Sequence, residues 1–194
     1  MSKRICIYCA SSQKVPIKYF EDTKKIAKAL VANDHHVVYG GGAVGLMGAL
    51  ADTVLEAKGK ITGIMPKFMK DVEWNHPGVT DMVYTDTMSQ RKELLLDGAD
   101  IALSLPGGSG TYEEFMEAIT LKRLGQIGTD IVFYNQDGFY EPIKQLFAQA
   151  VKENFMSENH MNGIHFFDTV GILMQHINYN SKIIDNDINE AVVR

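Results

Sequence analysis

This chain has little cysteine, no long apolar run and no surplus of basic residues, and each shortage removes a class of function. It has two cysteines in 194 residues, Cys6 and Cys9. They straddle the end of a strand-like run at C-x-x-C spacing, rather than opening a helix. No second pair completes a zinc site. Two free thiols in a reducing cytoplasm are therefore expected. No segment approaches the roughly 18 uninterrupted apolar residues of a membrane span. The basic start, Met1-Ser2-Lys3-Arg4, leads straight into a short strand-like run, so no export signal is read there. Lysine and arginine number 19 against 24 acidic residues, for a net charge of −5. That balance argues against a nucleic-acid backbone binder. Motifs are missing too. There is no Gly-x-Ser-x-Gly elbow, no H-E-x-x-H spacing, no Asp-rich metal loop and no Walker lysine. His160, His165 and His176 look scattered. No metal site is expected.

What is present reads as an α/β protein. Apolar residues make up 45% and charged residues 22%, which suits one globular domain with a single core. Strand-like runs begin at Ile5, His36, Lys60, Met82, Ile101, Ile131 and Ile164. Between them lie helical patterns over Ile17–Leu30, Leu46–Ala57, Met88–Leu96, Tyr112–Leu124 and Tyr140–Asn154. Such alternation predicts a Rossmann-like, doubly wound, mostly parallel sheet with helices on both faces. One domain is expected over 1–180, with a frayed polar tail over 181–194. Ligands in such folds bind beyond the carboxyl ends of the strands.

Two glycine loops fall at carboxyl ends. Gly40-x-Gly42-x-x-Gly45 matches the dinucleotide fingerprint in letters. It follows the second strand, however, and no acid stands about twenty residues on to hold a ribose. Gly41 and Gly42 are read as phosphate or ribose contacts; packing glycines are the plainer alternative. The second loop runs from Pro106 to Glu114. Gly107, Gly108, Ser109, Gly110 and Thr111 can offer backbone N–H groups to an anion at a helix start. Thr111-x-x-Glu114 also spells a capping box, in which Glu114 turns back to the backbone and needs no substrate. Arg91 and Lys92 sit early in the preceding helix. In a βαβ fold that helix starts on the same edge, so Arg91 and Glu114 can meet above the sheet. Arginine's fork suits phosphate or carboxylate, although a solvated helix face would explain it as well. Glu73, in the irregular stretch after Pro66, is a further acid within reach.

These residues together resemble the LONELY GUY family of cytokinin-activating phosphoribohydrolases, often labelled lysine decarboxylases. The resemblance runs from Ile5 to about Phe155. It includes Cys9-Ala10-Ser11-Ser12, Tyr39 to Gly48, Ile64-Met65-Pro66-Lys67, Met88-Ser89-Gln90-Arg91-Lys92, Pro106 to Glu114 and Asn135 to Tyr140. One departure is Ser89, where members commonly have His. The resemblance implies a hydrolase that cuts the N-glycosidic bond of a purine nucleoside 5′-monophosphate, cytokinin-type or adenine. Free base and ribose 5-phosphate would be the products. It implies Arg91 and Glu114 as the catalytic pair. Implied substrate contacts are Glu73, Lys92, the loop Gly108 to Thr111, and Thr120. It also implies a homodimer whose interface borders the site, and no metal or redox cofactor. From the residues alone, Arg91 would grip the base or phosphate and keep Glu114 ionised. A non-catalytic nucleotide carrier of the same fold is the alternative. No lysine stands in a setting that marks a Schiff base, so the decarboxylase label has no support in the residues.

Overall fold

Each central strand is apolar on both sides because it is covered on both sides. In β1 (Arg4–Tyr8), Ile5 and Ile7 join one buried cluster, whereas Cys6 and Tyr8 join the other. The computed structural model describes residues 1–70 and 75–179. Six more strands follow: β2 (His36–Tyr39), β3 (Lys60–Pro66), β4 (Met82–Thr85), β5 (Ile101–Ser104), β6 (Asp130–Tyr134) and β7 (Ile164–Phe167). All pair in parallel, in the order β4-β3-β2-β1-β5-β6-β7. The expected mostly parallel sheet is thus wholly parallel among the described residues.

Helices α1 (Ile17–Ala32), α2 (Gly45–Glu56) and α7 (Val170–Tyr179) bury Leu30, Leu50 and Leu173 on one face. The other face receives α4 (Met88–Leu96), α5 (Ser109–Arg123) and α6 (Glu141–Lys152), through Leu95, Phe115 and Phe147. A single turn, α3 (Lys67–Lys70), sits after β3. Gly45 opens α2 at φ +64°, and a Cβ there would stand 2.4 Å from the Ser11 carbonyl carbon. The Leu46 N–H donates to the Ala10 carbonyl nearby, at 2.9 Å. Only glycine lets α2 start so close to the end of β1.

Several boundaries differ from the periodic reading by one to three residues, and two of them have a clear cause. Helix α1 runs on to Ala32 before Asp34, at φ 56°, turns the chain into β2. Helix α5 starts at Ser109 rather than Tyr112, with Gly108 as its N-cap. Short 3₁₀ turns at Gln136–Gly138 and Glu158–Met161 have no periodic signature. Glu73 and the expected tail, 181–194, lie outside the described residues.

Candidate active site

The strand order reverses between β1 and β5. The chain winds outward from β1 to β4, returns beside β1 as β5, and winds the other way to β7. The outgoing and returning connections part above these two strands and leave a crevice at their carboxyl ends. A cavity of about 360 Å³ lies there. Its walls include Tyr8, Cys9, Ser11, Ser12, Gly40, Met47, Met69, Met88, Arg91, Gly108 to Thr111, and Glu114. A larger depression of about 740 Å³ is lined by residues of α4, α5 and the loop after α5. It contains neither Arg91 nor the glycine loop, so size does not mark the site.

Arg91 and Glu114 meet, as the edge geometry predicts. Helix α4 starts at the carboxyl edge, where the Thr87 hydroxyl accepts the Gln90 N–H at 3.2 Å. Arg91, at the end of the first turn, sends Nη1 to Glu114 Oε1 at 2.7 Å and Nε to the Ile64 carbonyl at 3.2 Å. Both side chains are 10% exposed. A Cβ on Gly40 would stand 2.3 Å from Arg91 Nη2. Gly40 therefore gives the guanidinium its room. Sequence reasoning passed over it in favour of Gly41 and Gly42.

The capping box does not form. Gly108 takes the N-cap position with no side-chain cap, which puts Thr111 inside the helix, 4% exposed. Glu114 is thereby turned toward α4 rather than back along α5. Burial raises its pKa from the ordinary carboxylate value, and the charge and hydrogen bond of Arg91 offset part of that rise. Arg91 thus favours the ionised carboxylate, as expected of a neighbouring cation, while desolvation is the larger effect. Arg91 is anchored to Glu114 and Ile64, which suits holding the carboxylate more than gripping a ligand.

The remaining expected contacts divide. Gly108, Ser109, Gly110 and Thr111 line the cavity. They form the N-terminus of α5, where N–H groups lack helical partners. Gly107 lies behind them, and a Cβ there would stand 2.2 Å from Thr111 Oγ1. Gly41 and Gly42 are not among the lining residues. The Gly41 carbonyl accepts the His76 N–H at 2.9 Å, and Gly42 bridges to Asn75. Lys92 turns away from the cavity and pairs with Glu113 at 2.5 Å and with Glu117. Thr120 is exposed, donates to the Met116 carbonyl at 2.9 Å and does not line the cavity.

Residues that the sequence reading did not select complete the walls. Ser11 and Ser12 follow β1 at the point where the strand order reverses, and that position was their signal. Met47 and Met88 fell inside motifs of the family resemblance, whereas Met69 had no signal, since methionine fills gaps without a pattern. The two cysteines are free and buried. Burial pushes the Cys6 thiol up to about 12 and raises Cys9 as well, so both are protonated at neutral pH. The expected scatter of histidines is also corrected. His165 and His176 meet at the opposite edge of the sheet, with ring centroids 4.4 Å apart.

Comparison with known proteins identifies the family. A family model described as "Possible lysine decarboxylase" matches residues 47–177. The cytokinin riboside 5′-monophosphate phosphoribohydrolase LOG2 of Arabidopsis thaliana is 36% identical over 80% of this chain and 73% of its own. The enzyme LOG of Oryza sativa subsp. japonica, which carries the same description, is 34% identical over 81% of this chain and 65% of its own. Among solved structures, a structural-genomics target superposes with a TM-score of 0.72 at 24% identity, covering 90% of this chain and 98% of that one. The molybdenum cofactor carrier protein of Chlamydomonas reinhardtii gives 0.69 at 15% identity, covering 91% and 96%. Both structures share the fold. The sequence matches, which span most of the chain, carry the assignment: this protein belongs to the LONELY GUY family, whose sequence model bears the decarboxylase description.

Proposed function

We propose that this protein hydrolyses the N-glycosidic bond of a purine nucleoside 5′-monophosphate, with an adenine or cytokinin-type base. One observation carries the reading: the buried Arg91–Glu114 pair, joined at 2.7 Å, opens onto a cavity floored by a helix N-terminus. Breaking the bond develops positive charge on the ribose. Glu114 faces that charge with its carboxylate and orients or deprotonates water. The water oxygen bonds to the anomeric carbon, and the base departs with the bonding pair and a proton. Arg91 occupies Oε1, which leaves Oε2 to the reaction. The raised pKa makes the ionised carboxylate a stronger base. The N–H groups of Gly108 to Thr111 hold the 5′-phosphate. That remote binding positions the ribose for attack.

The decarboxylase description would require pyridoxal phosphate. Among the described residues no lysine lines the cavity, so they do not fit that cofactor. Glu73, Lys92 and Thr120 are retained as contacts only through the family resemblance. We also propose a homodimer. Met88, Leu94 and Tyr112 expose apolar surface on α4 and α5 beside the site, which a second copy would cover. No described helix is long and apolar enough to cross a membrane. A cytoplasmic location suits two free thiols.

Chromatography of AMP and isopentenyl-AMP incubated with the protein tests the reaction. Release of base and ribose 5-phosphate is expected. Intact nucleotide recovered after tight binding would support a carrier instead, although a carrier needs no buried carboxylate at the sugar. Light scattering tests the dimer.

A further inference from the structure

At the amino edge of the sheet, away from the cavity, three metal-ligating side chains converge. Asp130 opens β6, His165 is second in β7, and His176 lies late in α7. The sheet register pairs Val132 with His165. Asp130 is two residues before Val132, so it shares that face of the sheet. Val132 belongs to the buried cluster under α7, which brings His176 over the same face. One ligand atom from each residue lies within 4.8 Å of the others. His176 Nε2 is 3.9 Å from Asp130 Oδ2, while Asp130 Oδ1 faces Lys122 Nζ at 3.7 Å.

We propose that Asp130, His165 and His176 form a binding site for a divalent first-row transition ion, with Zn²⁺ the best match. Two imidazoles and one carboxylate are a borderline donor set that suits zinc and leaves a fourth position for water. Ligand atoms on a tetrahedral zinc stand about 3.3 Å apart, so small side-chain rotations close the set. The division of the carboxylate supports this. Lys122 keeps Oδ1 and is itself anchored to the Thr129 carbonyl at 3.0 Å, so Oδ2 is aimed at the histidines. Such outer partners commonly orient a metal's ligands. Burial lowers the pKa of both histidines, that of His176 to about 4. Neutral rings offer lone pairs to a metal at pH 7. Lys122 and Lys3 bring positive charge that weakens binding. The bound ion would tie α7 to the β6–β7 edge and take no part in hydrolysis.

The test uses untagged, chelator-treated full chain, titrated with Zn²⁺ by calorimetry and with Co²⁺ by absorption. One equivalent bound at low-micromolar metal is expected, with a rise in Tm. The cobalt spectrum should lack a thiolate charge-transfer band, which would mark Cys6 or Cys9. His176→Gln and, separately, the more exposed His165→Gln should each weaken binding by about tenfold or more. Nucleotide cleavage should be the same with and without metal. Failure to bind, a thiolate band, or unchanged affinity in the folded His165→Gln protein would overturn the site. None of these outcomes bears on the hydrolase reading.

Discussion

Two glycine loops leave the same edge of the sheet, one on each side of β1, and they do different work. At the end of β2, Gly40 makes room for a guanidinium, while Gly41 and Gly42 fasten the segment that carries Asn75 and His76. At the end of β5, Gly108 and Gly110 have nothing within 4 Å of where a Cβ would be, and both line the cavity. One set of glycines accommodates the protein's own cation. The other presents bare backbone to the cavity. The difference follows from what stands opposite each loop. Arg91 of α4 fills the space by Gly40, whereas the cavity fills the space by Gly108 and Gly110.

The comparison can be tested from its strongest consequence downward. The carboxylate lies between the loops, and Glu114→Gln should reduce hydrolysis by about 10³-fold while nucleotide binding persists. Steady-state kinetics and calorimetry on the same preparation check this. A variant that cleaves at the normal rate would remove Glu114 from the reaction.

Gly40→Ala comes next. Its methyl would meet Arg91 Nη2 at 2.3 Å, so the pair must shift. Misplacement of this size should cost about 10²-fold in kcat. Gly110→Ala should instead change KM by less than about tenfold and leave kcat intact. Equal effects at both loops would erase the distinction.

The pH profile gives a smaller shift. Arg91 offsets the rise that burial imposes on Glu114. In Arg91→Gln burial is unopposed, so the carboxyl stays protonated to higher pH. The acid limb of kcat/KM should therefore move to higher pH. Movement downward would contradict the assigned balance.

The smallest effect is on stability. Gly45→Ala places a methyl at φ +64° against the Ser11 carbonyl, and should cost about 1–3 kcal/mol by denaturant unfolding. Gly110→Ala, on an ordinary helical residue, should gain about 0.5–1 kcal/mol.

Much of this was legible in the sequence, because strands and helices announce themselves by period. The meeting of Arg91 and Glu114 was legible because a helix start and a strand end must share an edge in a βαβ unit. What was missed depended on contacts between distant segments. Thr111-x-x-Glu114 is a local pattern that a capping box would satisfy, yet Arg91, 23 residues away, takes the carboxylate. Arg91 and Lys92 look like one basic patch, but adjacent helix positions diverge by about 100°. One points to the cavity and the other to Glu113 and Glu117. Gly40 was overlooked because its need for glycine comes from Arg91, not from its own turn. His165 and His176 sit on a strand and a helix, and no spacing rule relates them.

The reversal of strand order also has a consequence in time. The backbone N–H of Arg4 donates to Asp100 at 2.8 Å across a separation of 96 residues. During synthesis β1 can pair with β2 early, but its other edge waits until β5 has emerged. At typical elongation rates that wait is roughly 5 to 20 seconds. Throughout it, Ile5-Cys6-Ile7 presents an open apolar edge of the kind that recruits other chains. The strand order that creates the crevice thus leaves the nascent protein exposed to aggregation until its fifth strand arrives.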